Sequence, residues 1–290
     1  MICSSSFEAE AEAEAQLQQT PLTTTGDDGQ EVPLFLNFHR DNSQNDINRA
    51  SFNSDVYFEH LHSRGLGRLL LSAAVLPSTQ TLLHQNSKKL PDGIVCVADQ
   101  QAAGKGRGGN QWTSPLGCLM FTFNKVVKIS GDRLPFLQYV MSLAIVQAVQ
   151  QLAASLLQGS NLDVRIKWPN DIYAAEHAKA QQLPKPATVQ REVLLANILT
   201  IFEQLLSTLA VEGFGPLRQS YLDAWLHSGQ QVTLVEGEGQ AASEVQLTVR
   251  GITSTGYLLA VDAAGRSFEL HPDGNSLDFF KGLVRRKLPP

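Results

Sequence analysis

The chain has 290 residues, of which 43% are hydrophobic and 18% charged, with a formal net charge of −5. That length and apolar content suffice for a buried core in one large domain or two, and the acidic balance argues against specific or non-specific nucleic-acid binding, which needs a basic face. Cys3, Cys96 and Cys118 lack paired spacing and read as buried thiols of a reducing compartment, and the 7 scattered histidines suggest no metal site.

Residues 1–51 differ in kind from the rest. Glu8-Ala9-Glu10-Ala11-Glu12-Ala13-Glu14 is acidic, whereas a transit peptide is arginine-rich and a secretory signal carries a basic start before an apolar run. Neither address is present, so a cytoplasmic location is expected. The polar stretches 20–29 and 41–46 have too little apolar surface to order themselves, and the whole segment is expected to be a disordered leader.

From Phe52 the pattern alternates strands and helices, as in α/β architecture. Asn53 or Ser54 offers a capping oxygen for a helix to about His62, and Arg68 to Val75 reads as a strand. Ser78 and Thr79, followed by Gln80, then open a helix to about Leu90. A plain N-cap and a ligand contact explain Ser78 equally well.

Gly93 to Ala98 and Cys118 to Phe123 read as strands, and between them stands Gly104-Lys105-Gly106-Arg107-Gly108-Gly109-Asn110. Packing does not explain four glycines interleaved with two cations. Glycine permits positive φ and exposes N–H groups to an oxyanion, while Lys105 and Arg107 add charge. The spacing satisfies G-x-G-x-x-G, but Asn110-Gln111-Trp112-Thr113-Ser114-Pro115 follows where a dinucleotide site opens a helix, and no Walker phosphate loop is present. An anion-cradling loop is expected, against the alternative of a solvated surface hairpin. Trp112 suits either the core or the cover of an apolar ligand face.

The longest helix is expected from Pro135 to Leu157, with Gly159 as its stop. Gln138, Gln147, Gln150 and Gln151 argue against a membrane span. Val164 to Tyr173 is an alternating strand halted by Pro169, which delivers Asn170 and Asp171 to a turn. A further helix runs from about Val189 to Leu209. Beyond Trp225, four short strands (Gln231 to Val235, Val245 to Ile252, Tyr257 to Val261, Ser267 to Leu270) suggest a small barrel of the SH3 type.

The glycine-rich loop, the run Lys167-Trp168-Pro169-Asn170-Asp171 and the upstream Leu76-Pro77-Ser78-Thr79-Gln80 together resemble the biotin–protein ligase family, which shares its catalytic fold with lipoate ligases. Trp225 to Val232 and His271 to Ser276 resemble its animal branch, the holocarboxylase synthetases. The likeness runs from about Phe52 to Lys287. It implies a mixed central sheet with flanking helices over residues 52–224 and a separate SH3-like β-barrel over 225–290.

The resemblance further implies a two-step acyl transfer. Biotin's carboxylate attacks the α-phosphate of ATP, releasing pyrophosphate, and a lysine amine on a carboxylase carrier domain then attacks the biotinyl-5′-adenylate. In the family, the position of Ser78 contacts the biotin ureido ring, whose fixed donors and acceptors need matched partners; Thr79, Gln80 and Gln101 fall on neighbouring ligand positions. Both transition states gather negative charge on oxygen. Lys105, Arg107 and the backbone of Gly104, Gly106, Gly108 and Gly109 are the groups implied to stabilise it, at about 2.7–4 kcal/mol per well-placed donor. Asp171 would accept from the incoming lysine with Asn170 orienting it, and Mg²⁺ is expected beside the ATP phosphates.

One departure is large. The family carries a lysine seven residues after the aspartate, in a strand followed by a second strand. Here Ala178 holds that place, and residues 174–186 lead directly to the helix near Val189. Two strands are therefore expected to be missing, leaving neighbours unpaired at about 1–3 kcal/mol per buried unmet backbone group. Lys179 lies one residue from the family position, without a strand to direct it. Reduced stability and reduced or lost turnover are expected, so a non-catalytic biotin- or carrier-binding form and a lipoate-type ligase stand as alternatives.

Arg107→Ala should abolish most adenylate formation while leaving the unfolding midpoint near that of the parent chain. A midpoint shift as large as that of a core substitution would make Arg107 a structural residue instead.

Overall fold

The computed structural model describes residues 2–4, 15, 22–25, 30–33, 51–105, 111–156, 162–174, 189–236, 243–271, 275–278 and 283–286. The chain forms two compact units, one of Met1–Val127 with Thr188–Gln204, the other of Lys128–Ala187 with Leu205–Pro290. The expected boundary near residue 225 is therefore not where the chain divides, because the C-terminal strands are bonded to the helix after Pro135 and to the Lys167-Trp168 strand, as described below.

In the first unit, β1 (Ile2–Ser4), β2 (Thr23–Thr25) and β3 (Glu31–Pro33) precede α1 (Ser54–His60), β4 (Leu69–Leu76), α2 (Thr79–Gln85), β5 (Val95–Lys105), β6 (Gln111–Ser114) and β7 (Met120–Phe123). Asn53 caps α1 as expected, its Oδ1 accepting from the N–H of Asp55 at 3.0 Å and of Val56 at 3.3 Å. The central pairing is parallel, β4 on β5, with β1 antiparallel on the far edge of β4 and β6 and β7 antiparallel on β5. The sheet is thus mixed, as the sequence predicts.

Leu70, Leu71, Val95, Cys96, Val97 and Ala98 are buried on these strands, and burial pushes the Cys96 thiol up to about 12. The loop before β4 is closed by Gly67 and Gly93, where the Gly67 N–H donates to the Gly93 carbonyl at 2.7 Å. Gly67 has φ +80°, and a Cβ there would meet the Tyr57 hydroxyl at 2.3 Å, so both conformation and space demand glycine. Helix α4 (Arg191–Glu212) enters this unit through its first turns. Arg191 donates to the buried Asp99 carboxylate at 2.7 Å, and the Glu203 carboxylate accepts from the N–H groups of Arg64, Gly65 and Leu66.

Three expectations need correction here. The leader is not wholly disordered. Ile2–Ser4 pair with Leu69–Leu71, Leu22 is fully buried, and Ser51 donates to Asp99. Scattered apolar residues in a polar segment find partners that are distant in sequence. Helix α2 stops at Gln85 instead of continuing to Leu90, because the fully buried Asn86 turns its amide to the Leu82 carbonyl and to the leader. Cys118 is exposed, ahead of β7, and is not a buried strand thiol.

The second unit holds α3 (Phe136–Leu156), β8 (Val164–Lys167), β9 (Asp171–Ala174), the end of α4, α5 (Gly215–Ala224) and the strands β10 (Gln231–Glu236), β11 (Ser243–Ile252), β12 (Leu258–Val261), β13 (Ser267–Leu270), β14 (Asn275–Asp278) and β15 (Leu283–Arg286). Helices α3 and α4 are long and apolar enough to cross a membrane by length and composition. In the unit, however, α3 packs on β8 and α5 and buries Phe136, Tyr139, Val140, Leu143 and Ala144. Arg133 donates to the carbonyls of Leu209 and Ala210, satisfying the last turn of α4.

The four expected C-terminal strands are present, and β14 and β15 join them in the order β13-β12-β11-β10-β15-β14, with β15 parallel to β10. Among the described residues this is an open six-strand path, and the pairing that would close an SH3-like barrel is not part of it. Strand β8 is not left bare. It pairs antiparallel with β9, and on its other side Ile166 bridges Trp225 while the Leu226 N–H donates to the Ile166 carbonyl at 2.9 Å.

The unit is knotted at Tyr139. Its buried hydroxyl donates to the Gly256 carbonyl and accepts from Trp168 Nε1 at 2.8 Å, joining α3, the turn after β8 and the β11–β12 turn. Tyr139→Phe leaves both partners unmet and should destabilise the chain by about 1–3 kcal/mol, seen as a lower denaturant midpoint at an unchanged slope. An unmoved midpoint would show that the hydroxyl carries no weight.

Candidate functional site

The parallel register sets Leu76, the last residue of β4, beside Gln101 in β5. Pro77 follows, and its carbonyl accepts from the Ala103 N–H at 2.9 Å, which holds the chain against β5 where the β5–β6 pairing shifts register between Gln101 and Gly104. Ser78 then caps α2 in extended backbone, with its Oγ accepting from the Thr81 N–H at 3.4 Å. The plain capping role is therefore real. That bond uses Ser78 as an acceptor and leaves its O–H for another partner.

Thr79 is 3% exposed and directs both its backbone N–H and its hydroxyl to Gln101 Oε1, at 2.8 and 3.0 Å. With the Thr79 proton so committed, the 2.9 Å contact to Thr122 Oγ1 requires Thr122 to donate. Gln101 Oε1 is thus doubly satisfied. Its Nε2 has one long partner among the described residues, Ser114 Oγ at 3.5 Å, and retains donor capacity. Ser78, Thr79 and Gln101 come together as the motif suggests, whereas Gln80 is exposed on α2. Thr122 and Ser114 were not anticipated. A threonine between Phe121 and Phe123 in an otherwise apolar strand is the available signal for the first.

Gly104 is buried in β5 and pairs with Trp112 in β6, and Lys105 pairs with Gln111, so the glycine-rich segment does connect two strands. Gly106, Arg107, Gly108 and Gly109, and the side chains of Lys105 and Trp112, lie outside the described residues, as do Ala178 and Lys179.

The Lys167-Trp168-Pro169-Asn170-Asp171 run belongs to the second unit and is a β8–β9 hairpin. Its residues divide into anchors and presented groups. The Trp168 ring is buried, and its backbone N–H donates to His227 Nε2 at 2.8 Å. With Nε2 accepting, the imidazole is neutral and its Nδ1–H is placed to donate to Gln230 Oε1 at 2.7 Å. Burial, with the charge of Lys167 in the same direction, holds His227 below the ordinary imidazole range against the opposing pull of Gln230. Tyr221 donates to the Pro169 carbonyl at 3.0 Å.

Asn170 and Asp171 stand exposed on the turn. The Asp171 carboxylate accepts from Lys167 Nζ at 3.0 Å. Burial draws Lys167 downward, but the Asp171 hydrogen bond and charge outweigh it, so the ammonium is held above its usual range. Among the described residues no three histidine, cysteine or acidic side chains converge as a metal site.

A family model, the biotin/lipoate A/B protein ligase family, matches residues 72–186. Biotin–protein ligase 2 of Arabidopsis thaliana is 34% identical over 298 residues, covering 90% of this chain and 90% of that protein. The human biotin–protein ligase is 29% identical over 303 residues, covering 88% of this chain and 40% of that one. Both alignments are longer than the 290-residue chain itself and so include positions at which it has no residue. Among solved structures, a biotin protein ligase from Aquifex aeolicus in complex with biotin and ATP superposes with a TM-score of 0.52 at 20% identity, over 69% of this chain and 94% of that one, which is a likeness of fold. With a relative above 30% identity matched across nine-tenths of both proteins, the chain belongs to the biotin/lipoate A/B protein ligase family.

Proposed function

We propose that the protein attaches biotin to a lysine of carrier proteins in an ATP-dependent reaction that passes through biotinyl-5′-adenylate. Within a chain of this family, the observation that carries the reading is the Ser78–Thr79–Gln101–Thr122 cluster at the carboxyl end of a parallel strand, in which Ser78 and Thr79 are buried and Gln101 and Thr122 half-buried. A ureido ring presents one carbonyl oxygen and two N–H groups in fixed directions. The O–H of Ser78 and the Nε2–H of Gln101 suit the oxygen, and the hydroxyl oxygens suit the N–H groups. A polar group left unpaired by the wrong ligand would make each match discriminating.

The adenylation step falls to the glycine-rich loop, where the backbone of 104–109, Lys105 and Arg107 would hold the phosphates and the charge developing on oxygen. Mg²⁺ would accompany the ATP phosphates. The described residues offer no acidic cage for it. In the transfer step Asp171 would exchange its Lys167 partner for the incoming carrier amine, with Asn170 beside it. The carrier is the biotin-accepting domain of a carboxylase, met in the cytoplasm.

A second reading, biotin binding with diminished turnover, is favoured by one observation: the family lysine position is Ala178 and the segment after it is short. Biotin-dependent exchange of pyrophosphate into ATP separates the two. The ligase reading expects exchange, and Asp171→Asn should reduce transfer to carrier by about tenfold or more while leaving exchange close to the parent value. Equal losses in both half-reactions would remove Asp171 from the transfer step. Absent exchange in a chain that biotin still protects against heat would establish the binding-only form.

A further inference from the structure

The residues that hold α2 at its far end come from the leader. Leu22 is fully buried in the first unit and belongs to one apolar cluster with Leu71, Leu76, Leu82, Leu83 and Leu90, drawn from β4, α2 and the turn beyond. The next residue is gripped through its backbone alone. Asn86, fully buried at the end of α2, accepts from the Thr23 N–H at 3.0 Å through Oδ1 and donates to the Thr23 carbonyl at 2.8 Å through Nδ2. The same Nδ2 donates to the Leu82 carbonyl at 2.8 Å, so one amide ties the leader to the last turn of the helix.

This two-point grip is the pairing that an adjacent strand would supply. It reads an extended backbone with a leucine on one side and is indifferent to the side chain at position 23. Helix α2 has seven residues, and its other end carries Ser78 and Thr79. A segment that short is about 10 Å long and moves as a rigid piece, so fixing Asn86 also fixes the direction in which the Thr79 hydroxyl meets Gln101.

We propose that Leu22 and Thr23 act in cis as a clasp on the C-terminal end of α2, and that through it the leader positions Ser78 and Thr79 for the ligand. The leader is thereby a working part of the biotin site rather than an appendage. The inference rests on the proposed role of those two residues in holding biotin, while the clasp itself has a test that needs no ligand.

Three full-length variants decide it. Thr23→Pro removes the N–H that Asn86 accepts, and Thr23→Val keeps both backbone groups. Thr24→Val replaces a buried hydroxyl that has no hydrogen-bond partner among the described residues and should leave the chain unharmed. Amide hydrogen exchange at Leu82 to Gln85 reports the clasp directly, and calorimetric titrations with biotin and separately with ATP report the site. Thr23→Pro should accelerate α2 exchange and weaken biotin binding by about tenfold each while ATP affinity holds, with Thr23→Val and Thr24→Val matching the parent.

Unchanged α2 exchange in Thr23→Pro would overturn the clasp. Faster exchange with undiminished biotin affinity would overturn the positioning role, as would an equal loss of biotin and ATP affinity. If the parent chain binds no biotin, the ligand reading of Ser78 and Thr79 fails and the positioning claim falls with it, while the exchange rates still decide the clasp.

Discussion

The parallel pairing of β4 with β5 is the constraint on which the first unit depends. It places Leu76 against Gln101, so that Thr79 reaches the Gln101 amide, and the β5–β7 pairing on the other side of β5 brings Thr122 to Thr79. A one-residue slip would turn the buried faces of both strands outward. Nothing else could then bring a capping serine, a threonine and a glutamine of distant sequence to one point. The leader completes the arrangement by covering the free edge of β4 with Ile2–Ser4 and gripping α2 through Asn86.

The second unit solves a different problem. Asn170 and Asp171 stand exposed where the β8–β9 hairpin turns, and the turn itself is firmly held. Trp168 holds it from two directions, through its ring N–H to Tyr139 and its backbone N–H to His227, while Tyr221 holds the Pro169 carbonyl. Trp168 and Pro169 in the motif are therefore scaffold. Because His227 serves as a neutral acceptor with its affinity for protons depressed by burial, this anchor is intact above the ordinary imidazole range. It weakens as falling pH protonates the ring.

Much of this was legible in the sequence where the signal is local. The cap at Asn53, the strand leading into Ser78, the long helices and the glycine-rich connection between two strands are all read from neighbours in the chain. What escaped depends on partners far apart. Thr23 meets Asn86 63 residues away and Arg191 meets Asp99 across 92, and no periodicity marks either pair. Leu22 is one apolar residue in a polar stretch, so composition alone consigned it to disorder. The four C-terminal strands were recognisable by their alternation, but the addition of β14 and β15 is a matter of long-range pairing. Their attachment to α3 through Gly256 was equally hidden, since a backbone carbonyl carries no side-chain signature.

The central claim is that the Gln101 amide, oriented by Thr79, recognises biotin. Its most direct test is the side-chain amide resonance of Gln101 in a ¹⁵N-labelled full-length chain, assigned by its loss in Gln101→Leu and followed through a titration with biotin. Recognition by Gln101 predicts a saturable shift of that resonance at the same biotin concentrations that protect the chain against heat. Thermal protection by biotin with the Gln101 amide unmoved would place the ligand elsewhere and contradict the claim.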